Sequence, residues 1–433
     1  MLLIKGGRII DPASGRDETG HLVLKDGKVD GIVHGDAPGD FSGRVLDAEG
    51  KWVVPGLIDM HVHLREPGFE WKEDIRTGTM AAAAGGFASV ACMANTRPVN
   101  DHPEITRHIL EKARRDGSAN VLPVAAVSRG LEGKEMADFA ELAEAGAVAF
   151  SDDGHYIENP LLMRRAMEYA RPFGFPILVH SEDRDLSEGG AANEGWNALR
   201  LGIPGSPAAA EDVAIARDIL LARQTGGRLH LQHISTKMGV ALLRMAKKAG
   251  LNVTGETAPH YFTLTDAALE GYDTNAKMSP PLRGEEDRMA VLEGIQDGTI
   301  DAVASDHAPH DDLVKQCEFA AAANGIIGLQ SSLPLTLALT AGGKVSPARI
   351  VELLSAAPAR ILSLRGKGSL AVGADADVTV IDPDAEWEFR REDVLSKSKN
   401  SPFLGWKMRG RAVATVCGGW IRYEIASGVE ANA

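Results

Sequence analysis

Eight short runs of β-branched and small apolar residues recur through the middle of this chain, and a helix-forming segment separates most of them from the next. The runs span residues 53–63, 87–95, 120–127, 147–153, 176–180, 228–233, 252–256 and 300–306. Between them lie alanine-rich or amphipathic segments, at 73–84, 103–116, 134–144, 160–171, 208–224, 237–249 and 285–295. Such alternation predicts parallel strands joined by helical crossovers, and eight of them predict a (β/α)8 barrel. A doubly wound open sheet is the alternative. No glycine-rich dinucleotide fingerprint follows any run, which weakens it.

The two flanks read differently. Residues 1–52 are strands and turns, with a hairpin signal at Asp26-Gly27. That piece is too small to bury a core alone. A helical segment at 347–363 closes the barrel region, and strands return at 374–381, 412–416 and 420–423. Each flank leaves an apolar face uncovered, so the two are expected to pair into one small β-sandwich. The expected organisation is residues 1–52 and 364–433 for the sandwich and 53–363 for the barrel. The last residues, 426–433, read as frayed.

In a (β/α)8 barrel the working residues sit where strands end. The first run ends in His61 and His63, which share one side of a strand because residues two apart point the same way. The fourth ends in Asp153, the fifth in His180, the sixth in His233 and the eighth in Asp306. Imidazoles and carboxylates together suit zinc better than calcium or magnesium. Six such groups exceed what one tetrahedral catalytic ion needs. Two ions sharing a carboxylate fit the count, so one or two Zn2+ are expected, with two favoured. Arg65 lies two residues beyond His63, on the same side, where a guanidinium fork would suit a substrate carboxylate.

Composition narrows the setting. There are 46 basic and 60 acidic side chains, a net charge of −14, which argues against a nucleic-acid surface. An anionic substrate therefore needs a local cation such as Arg65. Cys92, Cys317 and Cys417 are scattered, so neither a disulfide framework nor a Cys-ligated zinc is expected. No long apolar stretch suggests a signal peptide or membrane span, and the cytoplasm is the expected compartment.

Several motifs resemble one family. His61-Val62-His63-Leu64-Arg65-Glu66-Pro67-Gly68 is similar to the signature of the cyclic-amide branch of the amidohydrolase superfamily. Met93-Ala94-Asn95-Thr96-Arg97-Pro98, Ser151-Asp152-Asp153-Gly154, Pro280-Pro281-Leu282-Arg283 and Ser305-Asp306-His307-Ala308-Pro309-His310 resemble those of class I dihydroorotases. The resemblance covers nearly the whole chain.

It implies that His61, His63 and Asp306 hold one zinc, that His180 and His233 hold a second, and that Asp153 lies between. Many relatives, hydantoinases among them, bridge their metals with a carboxylated lysine on strand four, and residues 147–153 contain no lysine. It implies hydrolysis and re-formation of a ring amide by activated water, with Asp306 carrying the proton. Implied substrate contacts are His63, Arg65, Asn95, Ser279, His310, Asn324 and Gly325. Ser279 replaces a usual asparagine, Asn324 a frequent phenylalanine and Ala94 a common proline.

His260 reads as packing or as a support behind the ligands rather than as a ligand, His155 as part of the pocket mouth, and the loop 308–325 as a lid. The implied function is zinc-dependent interconversion of N-carbamoyl-L-aspartate and L-dihydroorotate in pyrimidine synthesis. A homodimer and association with aspartate transcarbamoylase are further implications. The rivals are another cyclic amidase, hydantoinase or allantoinase, and a non-catalytic scaffold.

Overall fold

The computed structural model describes residues 1–39 and 41–425 and the backbone of Gly428–Val429. All eight expected barrel strands are present. They are β1 Leu57–Val62, β2 Phe87–Cys92, β3 Asn120–Ala125, β4 Ala149–Phe150, β5 Pro176–Val179, β6 Arg228–Leu231, β7 Val253–Thr257 and β8 Ala302–Val303. Each pairs in parallel with the next, in chain order. The ring closes through His307, which bridges Val62 in parallel and accepts from the His63 N–H at 2.9 Å.

β4 and β8 are shorter than the runs that signal them. In each, a serine side chain takes over from the ladder. Ser151 Oγ accepts from Asp153 N, and Ser305 Oγ accepts from His307 N, at 3.0 and 3.1 Å. These local bonds bend the chain out of extended geometry just where Asp153 and Asp306 are needed.

The helices follow the expected segments with one clear difference. Residues 134–138 are not helical; Met136 bridges Ser128 instead, and the helix is Phe139–Ala145. Asp138 is its N-cap, accepting from Ala140 N and Glu141 N, so the helix starts where its first orphan N–H groups find an acceptor. The outward strand faces pack on these helices in one large core that includes Phe87, Phe139, Phe150, Leu243 and Val291. Among the described residues no helix is long and apolar enough to cross a membrane.

The chain ends form a nine-stranded sheet. Trp52–Pro55 joins its two halves: it pairs in parallel with Leu2–Asp11 and antiparallel with Val378–Glu388. The run at 53–63 is therefore two strands, one in each sheet. Gly56 is the passage between them. Its N–H donates to Asp377 O at 2.8 Å, and a Cβ there would lie 2.6 Å from Ala88 Cβ. The Asp26-Gly27 turn forms as expected, with φ of +49° and +74°. Side chains from both ends share one core, including Ile4, Leu22, Val53, Val380 and Ala414. The frayed end expected at 426–433 lies outside the described residues, apart from Gly428–Val429, which pair with Tyr423 and Glu424.

Candidate active site

The six strand-end groups converge. Around Asp153 the sequence brings His61 from β1, His180 from β5 and His233 from β6. Asp153 Oδ1 lies 3.2 Å from His61 Nε2, 3.7 Å from His180 Nδ1 and 3.8 Å from His233 Nε2. Its other oxygen lies 3.4 Å from His63 Nε2. Asp306 Oδ1 is 3.3 Å from His63 Nε2 and 3.6 Å from His61 Nε2. Two three-residue clusters meet the geometry for holding an ion: His61, His63 and Asp306, and His61, Asp153 and His233. His180 belongs to neither, but its Nδ1 is 2.9 Å from His233 Nε2 and faces the same space. Arg65, His233 and Asp306 all have positive φ, between +34° and +60°, backbone strain of the kind that gathers at functional sites.

Outer partners aim the rings. His61 Nδ1 is 3.0 Å from Glu256 Oε1, and His63 Nδ1 is 2.9 Å from Asn95 Oδ1. His180 Nε2 is 3.2 Å from Glu182 Oε2. For His61 and His63 the acceptor takes the proton of the outward nitrogen and turns the other nitrogen toward the cluster; His180 turns Nε2 to Glu182, with its Nδ1 on His233 Nε2. Burial opposes ionisation of Glu256, but hydrogen bonds from His230 and His61 prevail and hold its carboxyl at about 2. Burial likewise opposes Asp306 and Asp153, yet the facing imidazoles hold both well below the usual carboxylate range. In return, Asp153 and Asp306 overcome burial and push His61 well up.

These donors fit a divalent ion. His61 Nε2 and Asp153 Oδ1 are buried, face each other, and have no hydrogen-bond partner. A tetrahedral ion with bonds of about 2.0–2.1 Å sets its donors roughly 3.3 Å apart. The spacings above scatter around that value.

The cluster opens into a cavity of about 320 Å³. Its lining includes His63, Arg65, Asn95, Ser279, His310, Asn324 and Gly325, all the side chains expected at the substrate, together with Asp153, His180, His233 and Asp306. His155 lines it too, as expected. Burial lowers the Arg65 guanidinium to about 10, so it stays charged at neutral pH. Arg65 Nε donates to Pro309 O at 3.3 Å and Nη2 lies 3.4 Å from His310 Nε2. Among the described residues Nη1 has no partner. Burial and the Arg65 charge together depress His310 to about 2, keeping it neutral. The backbone of Gly325 is engaged elsewhere: its N–H donates to Lys277 O, and its carbonyl accepts from Asn400 Nδ2 and Lys315 Nζ. Only the two ends of the loop 308–325 reach the cavity.

His260 is buried against Tyr261, with ring centroids 4.2 Å apart, and lies outside the cavity lining. Sequence reasoning missed Glu182 and Glu256. Glu256 had a readable signal, a carboxylate inside a strand that a barrel buries on both faces.

Known proteins share this arrangement of chain. The profile of a family described as "Dihydro-orotase-like" matches residues 50–239. A dihydroorotase of Geotalea daltonii is 54% identical over 96% of this chain and 98% of its own length. One of Desulfotalea psychrophila is 52% identical over 97% and 98%. Among solved structures, an L-hydantoinase (dihydropyrimidinase) from Arthrobacter aurescens superposes with a TM-score of 0.89, covering 100% of this chain and 97% of that one at 26% identity. Half of all residues are shared along nearly the full length of the dihydroorotases, and the strand-end groups converge beside one cavity: the chain belongs to the dihydroorotase family.

Proposed function

We propose that the protein is a zinc-dependent dihydroorotase that interconverts N-carbamoyl-L-aspartate and L-dihydroorotate, in the cytoplasm, as a step of pyrimidine synthesis. The observation that carries this reading is the placement of Arg65 and Asp306 on one cavity, beside a His/Asp cluster fit for divalent ions. His61, His63 and Asp306 would hold one zinc and His180 and His233 a second, with Asp153 facing both. The chemistry supplied by bound zinc is activation of water, whose pKa falls to about 7, and polarisation of a carbonyl.

The chain's own residues do the rest. Asp306 is ionised and can accept a proton from the attacking water. In the hydrolytic direction the water oxygen bonds to the ring amide carbon and the ring C–N bond breaks. Asp306 returns the proton to the departing nitrogen, giving N-carbamoyl-aspartate. In reverse the same carboxylate removes a proton from the nitrogen as it bonds to the carboxyl carbon, and passes that proton to the departing oxygen, which leaves as water when the C–O bond breaks. Arg65, with Nη1 unpaired, receives the substrate carboxylate, and the neutral His310 and Asn95 flank it.

The hydantoinase reading draws on the shared fold, and fold alone does not fix function. No lysine lines the cavity among the described residues, and Asp153 fills the space between the two ligand sets. Ring opening of L-dihydroorotate, hydantoin and allantoin by zinc-loaded protein tests the choice. Turnover of dihydroorotate at least a hundredfold above the other two is expected. Faster turnover of hydantoin or allantoin would overturn it.

A further inference from the structure

The substrate side of the cavity is held by a residue far outside it in sequence. Asn400, from the C-terminal flank, is buried, at 3% exposure, against both ends of the loop 308–325. Its Nδ2 donates to Ala308 O at 3.1 Å and to Gly325 O at 3.0 Å. Its Oδ1 accepts from the His310 N–H at 3.1 Å, and its backbone carbonyl accepts from Ile327 N at 2.9 Å. The amide side chain is thus used on both donors and on its acceptor, with one bond on each of three residues at the cavity wall.

The loop's own backbone contributes one bond here, from Ala308 N–H to Ile326 O at 2.7 Å, and leaves Ala308 O, Gly325 O and the His310 N–H to Asn400. Gly325 has φ +122°, and a Cβ there would lie 2.6 Å from Ala308 Cβ and 3.5 Å from His310 Cδ2. Ala308, His310 and Gly325 are therefore in close contact, and the setting of each depends on the other two. Lys315 reinforces the same point. It is 3% exposed, and its Nζ donates to Ala323 O at 2.9 Å and Gly325 O at 3.1 Å. Among the described residues no carboxylate pairs with it. An ammonium buried with only carbonyls for company is costly unless those carbonyls are held in place.

We propose that Asn400 is a positioning residue for substrate recognition: by joining Ala308, His310 and Gly325 it fixes the imidazole of His310 beside Arg65. This rests on the dihydroorotase reading for the identity of the substrate, and on the geometry alone for the anchoring. Asn400 touches none of the strand-end His/Asp groups, so its loss acts on binding and spares the chemistry. Asn400→Asp keeps the acceptor for the His310 N–H and turns a carboxylate toward two carbonyls. Asn400→Ala removes all three side-chain bonds.

The test measures kcat and KM for L-dihydroorotate, zinc content, and backbone amide exchange at His310 and Ile327, in wild type and both variants. For Asn400→Ala the expected result is a KM raised about tenfold or more, kcat within about threefold and unchanged zinc. Exchange at His310 should be at least tenfold faster, with the β1–β3 amides unaffected. Asn400→Asp is expected to raise KM comparably while keeping slower exchange at His310 than the alanine variant. A KM within twofold of wild type, or a fall in kcat with KM unchanged, would overturn the proposal. If neither variant folds, Asn400→Ser decides: its short hydroxyl stays polar but cannot reach three partners, so KM is expected to rise severalfold at constant kcat, and an unchanged KM rejects the anchoring role. Should wild type fail to turn over dihydroorotate, the substrate reading falls, while the exchange rates still report whether Asn400 anchors the loop.

Discussion

Two buried aspartates show how differently the two parts of the molecule treat a charge. Asp11, in the flanking sheet, is fully buried and fully answered. Its carboxylate accepts from Ala13 N, Ser14 Oγ, Ser369 Oγ and Leu370 N at 2.7 to 3.1 Å. Asp153, at the barrel rim, is equally enclosed, yet its Oδ1 has no hydrogen bond and three imidazoles lie within 3.8 Å. The flank uses its carboxylate to tie residue 11 to residues 369 and 370, and so one chain end to the other. The rim leaves its carboxylate open to a ligand. Satisfied burial marks architecture, and unsatisfied burial with convergent donors marks a site.

The sharpest break between the regions is at Asp306. Asp306→Asn keeps the shape and removes the carboxylate proposed to carry the proton. We expect kcat to fall by about a thousandfold or more, with part of the metal retained, a loss in the range of removed acid–base groups and their neighbours. Steady-state kinetics alongside elemental analysis checks this, and near-normal turnover would refute the role. Glu256 acts one bond further out. Glu256→Gln takes the carboxylate from His61 Nδ1, and zinc affinity should weaken by about 10–100-fold, as chelator competition would show. Arg65→Lys replaces a fork by a point charge; KM is expected to rise about tenfold with kcat little changed.

Changes in the flank should move stability and leave the chemistry alone. Asp11→Ala strands buried donors, Leu370 N among them, and is expected to cost about 1–3 kcal/mol in denaturant unfolding with kcat intact. A large loss of kcat there would erase the contrast between the regions. The smallest expected effect is a pH slope. Burial lifts the Asp218 carboxyl from 3.8 to about 6, with Arg217 opposing. The folded protein then holds that proton more tightly than the unfolded chain. Its contribution is favourable below about 4 and is lost as pH rises to about 6. Asp218→Asn should flatten that part of the stability profile; an unchanged slope would contradict the assignment.

The alternation of runs in the sequence was enough to locate every barrel strand, because parallel strands are buried on both faces and read as apolar stretches. The strand-end rule then picked the histidines and aspartates that do meet. What the pattern could not show is which sheet an apolar residue joins. Val53, Val54 and Leu57 look alike in sequence, and only the contacts of Gly56 with Ala88 and Asp377 separate them. Helical periodicity likewise carried residues 134–138 into a helix that Asp138 in fact caps. Asn400 was invisible for another reason. Its bonds reach 75 to 92 residues back along the chain, and an isolated asparagine carries no periodicity.

The central claim is that His61, His63, Asp153, His180, His233 and Asp306 together hold the catalytic metal. Anomalous diffraction at the zinc edge, on crystals of zinc-loaded protein, tests it most directly. The account predicts scattering bounded by His61, His63 and Asp306 and by His180 and His233, with Asp153 adjoining both. Zinc located elsewhere, or Asp306 and the His61/His63 pair lying away from any such peak, would contradict it.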